Sequence, residues 1–242
     1  MTSESPATRS NLDPREIANF DRLATRWWDP RGEMGALHAI NLPRVRYITE
    51  CASGLSGKTA LDVGCGGGLL TEALVAAGCT ATGVDLAGDV LEVARLHGLE
   101  SGLRADYRQI AAEELAAERP ASFDLVCCLE MLEHVPDPAA VVQACATLVK
   151  PGGTVVFSTI NRNPKSFALM IVGAEYLTQV VPRGTHDYEK FIRPSELDAW
   201  ARSGGLEVLG LKGLRYNPIL RSARLADDID VNYLMHCRRP HT

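Results

Sequence analysis

Between residues 59 and 160 the chain repeats one pattern: a short, nearly continuous apolar run, a turn, then a stretch with helical spacing. The runs read as strands at 59–64 (TALDVG), 80–85 (TATGVD), 105–110 (ADYRQI), 123–129 (FDLVCCL) and 154–160 (TVVFSTI), with two more at 206–214 and 231–237. Apolar strands joined by helices bury both of their faces, which requires a mainly parallel sheet between two helical layers. The expected fold is therefore α/β and Rossmann-like, with a seven-stranded, mainly parallel sheet and helices on both faces. Ligands in such sheets bind beyond the carboxyl ends of the strands, so the residues that end each strand carry the functional information.

A chain of 242 residues with 46% hydrophobic content supports one substantial core, so a single domain is expected over 13–242. Residues 1–12 are polar, lack the apolar stretch of a signal peptide and read as a disordered tail. Over 13–57 two helices are expected. Asp13 as N-cap, Pro14 at N1 and Glu16 at N3 precede Ile17, Phe20, Ala24 and Trp27 on one face. Trp27 and Trp28 then read as packing residues of a helix that covers the substrate. The net charge of −5 gives no reason to expect a nucleic-acid partner. Seven cysteines without a C-x-x-C pair read as reduced core thiols of a cytoplasmic protein.

The first strand runs into LDVGCGGGLL, where missing side chains let backbone amides approach a ligand. The dinucleotide pattern G-x-G-x-x-G, begun at Gly64 and Gly66, meets Leu69 where its last glycine belongs. A ligand-free turn and a nicotinamide or flavin site are the alternatives to a third reading. Asp62 followed by Gly64, Gly66 and Gly68 resembles motif I of class I methyltransferases, in which the loop holds the methionine half of S-adenosylmethionine. Asp85 ends the second strand, where a carboxylate accepts hydrogen bonds from both ribose hydroxyls. The same resemblance implies that 110–115 (IAAEEL) borders the adenine, that Leu129 faces the methionine portion, and that Arg44 reaches the cofactor carboxylate with a bidentate grip.

After the fourth strand, EMLEHVPDP (130–138) gathers Glu130, Glu133 and His134. With NFDRLATRWWDPRGEMGALHAIN, LVKPGGTVVFSTINRN, VPRGTHDYEKFIRPSEL, GLRYNPI and DIDVNYLMH, this block resembles the ubiquinone biosynthesis O-methyltransferases over nearly the whole chain. The resemblance implies methylation of phenolic hydroxyls on 2-polyprenyl-6-hydroxyphenol and 3-demethylubiquinol, with other ubiquinone biosynthesis proteins as partners. A phenol ionises near 10, so its proton must be taken or its charge delocalised. The family's E-x-x-E-H motif implies a divalent metal such as Mg2+ on Glu130, Glu133 and His134. Read from the residues alone, three roles stay open: metal ligation, a metal-free general base at His134, and the polar start of a helix. Glu133 and His134 are adjacent, so they point in different directions unless the backbone turns sharply. His186 in GTHDYEKF is a second base candidate, against an ordinary loop histidine.

An insertion is expected over 161–192. Its stretch 166–181 is too short to span a bilayer, which takes about 20 apolar residues. Flanked by Arg162, Lys165 and Arg183, segment 162–183 reads as an interfacial helix on an anionic membrane, which would make the protein peripheral on the inner face of the cytoplasmic membrane. A hydrophobic lid over the prenyl pocket fits the same pattern.

Overall fold

The computed structural model describes residues 11–167 and 188–241. Its sheet contains β1 (Thr59–Val63), β2 (Thr80–Asp85), β3 (Asp106–Gln109), β4 (Phe123–Leu129), β5 (Val149–Ile160), β6 (Glu207–Asn217), β7 (Ser222–Ala226) and β8 (Asn232–Arg238) in the order β3-β2-β1-β4-β5-β8-β6-β7. Strands β1 to β5 pair in parallel, whereas β8 runs antiparallel between β5 and β6 and β7 closes the edge. The α/β expectation holds, and the strand count is eight rather than seven. The strand missing from the sequence reading is β7, whose SARLA carries no apolar run and pairs only with β6. An edge strand with one face in solvent has no need of the apolar continuity that marks a central one.

The longer helices among the described residues are α1 (Pro14–Leu23), α2 (Gly35–Cys51), α3 (Leu69–Ala76), α4 (Gly88–Glu100), α5 (Ala112–Glu118), α6 (Pro138–Leu148) and α7 (Pro194–Ser203). On one face of the sheet Phe123, Val126, Phe157 and Tyr233 pack with Leu115, Val142 and Leu197. On the other, Leu125, Cys127, Val156 and Leu234 pack with Ile40, Ile48, Leu70 and Leu74. Strand order reverses between β1 and β4, which opens the crevice that binds ligands in such sheets.

The N-terminal helix starts as its sequence predicts, with the Asp13 carboxylate accepting from Arg15 N and Pro14 in the first turn. It buries no residue fully and docks through the half-buried Ile17 and Phe20, packed beside Trp27, Ala87 and Val90, together with polar contacts. Asp21 Oδ1 accepts from Asp89 N at the start of α4, a carboxylate set against the positive end of that helix. Asn11, expected in a disordered tail, is pinned instead: its amide donates to Glu113 Oε1 (2.7 Å) and Asp137 O (2.8 Å) and accepts from Asp137 N. All seven cysteines are free, six of them buried. No helix among the described residues is long and apolar enough to cross a membrane.

Candidate active site

A cleft opens at the carboxyl ends of β1, β2 and β4 under α1. Arg44, Asp62, Gly64, Gly66, Asp85, Leu129, Glu130 and His134 line it together, as do residues 110–113 of the 110–115 stretch expected at the adenine. Gly68 sits one step behind, beginning α3. His186 and most of segment 162–183 lie outside the described residues.

The loop after β1 is built on backbone that side chains resist: Gly64, Gly66 and Gly68 all have positive φ. Gly66 and Gly67 are required for a second reason. A Cβ on either would lie 2.3 Å from the Trp27 indole, which packs flat on the loop. Trp28 then donates from Nε1 to Gly67 O (3.0 Å) and stacks on His97, rings 3.4 Å apart and 4° from parallel. His97 is held in turn by Glu72 through Nδ1 (2.8 Å). The two tryptophans therefore brace the glycine loop from the α1 side.

Asp62 lies beneath the loop and accepts from Thr71 Oγ1 at 2.7 Å; burial pushes its carboxyl up to about 6. Asp85 accepts from Gly66 N (2.8 Å) and Ala87 N (2.9 Å), and burial raises its pKa as well. Its spare lone pairs face the cleft side expected to hold a ribose. Arg44 is only 5% exposed, and Nη2 lies 2.9 Å from Glu130 Oε1. That approach is off-line for a hydrogen bond, so Nε and Nη2 remain unsatisfied in a buried wall of the cleft. Orphaned guanidinium donors beside a ligand cleft are what a cofactor carboxylate completes.

Glu130 closes β4 with φ +52, an uncommon backbone for a non-glycine residue. Its carboxylate accepts from Ser158 Oγ at 2.8 Å. Glu133 turns away from the cleft into the protein, where Thr159 Oγ1 donates to it at 2.7 Å. Burial, then the charge of Glu130, pushes its carboxyl up to about 7. His134 faces the cleft, with Nδ1 3.1 Å from Glu16 Oε2 of α1 and Phe20 edge-on to its ring. Burial by itself lowers the imidazole pKa, but the Glu16 hydrogen bond and the charges of Glu133, Glu16 and Glu130 outweigh it, and the net shift is upward. Glu16 is held down to about 2, first by His134, and it also accepts from Lys190 Nζ at 2.8 Å.

The expected metal set does not assemble. Glu130 is engaged by Arg44 and Ser158, Glu133 by Thr159 and His134 by Glu16, so the three donors point three ways. Among the described residues no group of three or more His, Cys, Asp or Glu side chains converges to hold an ion. Adjacency of Glu133 and His134 is the physical reason: the short 3-10 turn at Leu132–His134 sends one inward and one outward. Glu16 is the site residue that sequence reading missed. Its only sequence signal was a place in the first turn of a helix 118 residues away.

The description of a methyltransferase domain family matches residues 36–211. Solved structures resemble the fold at low identity. Magnesium protoporphyrin IX methyltransferase from Synechocystis PCC 6803 with bound SAM aligns at TM-score 0.64 and 15% identity, covering 96% of this chain and all of that one. A possible histamine N-methyltransferase from Thermotoga maritima aligns at TM-score 0.64 and 18% identity, over 93% of this chain and 99% of that one. Sequence similarity is far closer to two proteins named ubiquinone biosynthesis O-methyltransferase. That of Pseudomonas paraeruginosa is 59% identical over 95% of this chain and 99% of its own length. That of Bordetella bronchiseptica is 56% identical over 98% of each. By this near full-length similarity the chain belongs to the ubiquinone biosynthesis O-methyltransferases.

Proposed function

We propose that this chain methylates a phenolic oxygen of polyprenylated rings, 2-polyprenyl-6-hydroxyphenol and 3-demethylubiquinol, using S-adenosylmethionine held by Asp85, Arg44 and the glycine loop. The observation that carries the reading is the Glu16–His134 pair, which faces the same cleft as Arg44 and the loop. Bound there, S-adenosylmethionine supplies an electrophilic methyl group that passes to the phenolic oxygen as its bond to sulfur breaks, leaving a neutral thioether.

The protein's own task is the proton. With Nδ1–H donating to Glu16, neutral His134 presents the lone pair of Nε2, which takes the phenolic proton. The imidazolium that results is stabilised by the Glu16 carboxylate, the role an orienting acid plays in a catalytic triad. Glu130 adds negative charge on the wall that receives the sulfonium, and Leu129 lines the cleft beside it. Holding both reactants in this cleft supplies much of the rate. No step here passes through a divalent ion, because the donors present do not form a set for one.

The test is labelled methyl transfer to a short-chain demethylubiquinol, before and after chelation, with His134→Ala alongside. Activity that survives chelation and falls at least 100-fold in His134→Ala supports the histidine reading, general-base catalysis being worth about 10² to 10⁴. Loss on chelation with recovery on adding Mg2+ refutes it.

Contact of segment 162–183 with an anionic membrane remains a reading from sequence. Two of its basic flanks are already engaged: Arg162 pairs with Glu196 and Lys165 with Asp230.

A further inference from the structure

The turn between β6 and β7 holds two adjacent, strongly exposed aliphatic side chains, Ile219 at 90% and Leu220 at 72%. They stand at the tip of a hairpin, uncovered among the described residues. The turn is built to present them: Asn217 Oδ1 accepts from both Ile219 N and Leu220 N at 3.0 Å, and Arg221 completes the reversal at φ +45.

Three arginines collar the tip. Arg215 and Arg224 stand directly opposite each other across the β6–β7 ladder, and Arg221 follows Leu220. Like charges at opposed positions destabilise a sheet by themselves. Only Arg215 is compensated, by Asp228, whereas Arg221 and Arg224 have no acidic partner among the described residues. This is uncompensated positive charge on a protein whose net charge is −5.

The tip also points the right way. Strand β8 is antiparallel to both β5 and β6, so β6 runs with β5, and its end lies at the same sheet edge as the cleft. Ile160, Asn232 and Leu214 are level across the sheet, and Asn217 is three residues further on. The hairpin therefore stands roughly 10 Å proud of that edge, at about 3.3 Å per residue. Three strand intervals separate β6 from β4, about 15 Å at 4.8 Å each, so the tip and the end of β4 face one plane.

We infer that the β6–β7 hairpin is a lipid-surface anchor: Ile219 and Leu220 enter the interface of an anionic bilayer while Arg215, Arg221 and Arg224 hold its headgroups, turning the cleft mouth toward the membrane. The inference rests on the reading that the acceptor is a polyprenylated ring held in lipid, and it is separate from the reading of segment 162–183. Apolar insertion with a basic collar is the chemistry by which such surfaces are bound.

The test is vesicle co-flotation of the full chain with phosphatidylcholine alone and with added phosphatidylglycerol. The variants are Ile219→Ser/Leu220→Ser and Arg221→Gln/Arg224→Gln. All four positions are exposed, so both variants keep the native fold. The arginine pair is expected to weaken binding to the anionic vesicles about 30-fold, near fivefold per charge, and the apolar pair at least tenfold. Methyl transfer to a water-soluble short-chain acceptor is expected to be unchanged in both, and transfer to a long-chain acceptor embedded in vesicles to fall. Wild-type affinity in both variants overturns the anchor and, if the wild type binds, leaves segment 162–183 or an acidic protein surface as the contact. Absence of methyl transfer by the wild type to the soluble acceptor overturns the functional reading instead and leaves the vesicle result standing.

Discussion

Replacing Glu16 with glutamine removes the charge at His134 Nδ1 and keeps a hydrogen-bonding group of the same size. The magnitude follows from the depression of Glu16 itself, from 4.5 to about 2. At 1.36 kcal/mol per pH unit, its ionic interactions total roughly 3 kcal/mol. Lys190 takes part of this, and both side chains of the pair are about one-fifth exposed, so about 1–2 kcal/mol falls to the His134 bond. The sign differs for the two groups. His134 is raised, so its contribution to docking α1 is full below about 6.5 and is lost as pH rises through its folded value. Glu16 is depressed, so its contribution is full above about 4.5 and is lost as pH falls toward 2. The variant should therefore lose most protection near pH 5.5, read as the ratio of amide-exchange rates over residues 14–23 in variant and wild type. The ratio should shrink by pH 8.5 without vanishing, because Lys190 still holds Glu16 in the wild type.

Turnover moves in the opposite sense along the pH axis. A base must be neutral, so wild-type kcat/KM rises through the elevated pKa of His134. In Glu16→Gln that acid limb should shift down toward 6.5, while the plateau falls about 5- to 30-fold because an amide no longer stabilises the imidazolium. The assay is methyl transfer to the short-chain acceptor between about pH 5.5 and 9. An acid limb that stays in place, or moves up, refutes the pairing of Glu16 with the catalytic imidazole.

Two further substitutions test other parts of the site. Trp28→Phe keeps the stack on His97 and loses the bond to Gly67 O, so S-adenosylmethionine affinity by calorimetry should fall about 3- to 10-fold with kcat little changed; a kcat loss at unchanged affinity rules out bracing of the loop. Glu133→Gln keeps the Thr159 bond and removes a carboxyl whose folded pKa lies above its free value, a group that costs stability as pH rises from 4.5 through about 7. The variant should match wild type in urea unfolding near pH 4.5 and exceed it by about 1–3 kcal/mol at pH 8.5, and equal destabilisation at both values would show that burial does not dominate this carboxyl.

The parts of the molecule legible in sequence are those specified by local periodicity. Central strands such as β4 announce themselves because both faces are buried, and the start of α1 is written in Asp13 and Pro14. The glycine loop was legible as a ligand loop, but the reason for Gly67 was not. It has ordinary φ and is required by the indole of Trp27, a contact across 40 positions. Glu133 shows the opposite failure. Its spacing from Glu130 and His134 suits a shared ion, yet direction is fixed by one 3-10 turn and by Thr159, neither of which is encoded in the motif. Strand β7 escaped because its five residues at the sheet edge, SARLA with the exposed Arg224 at the centre, carry no apolar run.

The N-terminal helix links these points to mechanism. It has no fully buried residue of its own, and its hold on the domain combines the packing of Ile17 and Phe20 beside Trp27, Ala87 and Val90 with polar contacts: Asp21 on α4, Glu16 on His134, Lys190 on Asp13 and Glu16. Attachments of this kind open more readily than a packed core. The cleft is walled by the same helix, through Ile17 and Phe20, so moving it aside both uncovers the cofactor site and takes the carboxylate from His134. In the proposed mechanism, cofactor exchange and a competent base call for different positions of this helix. There a phenol entering an opened cleft would meet an imidazole without its orienting acid, and the base would be complete only once the helix had closed over both reactants and reduced the access of water to them.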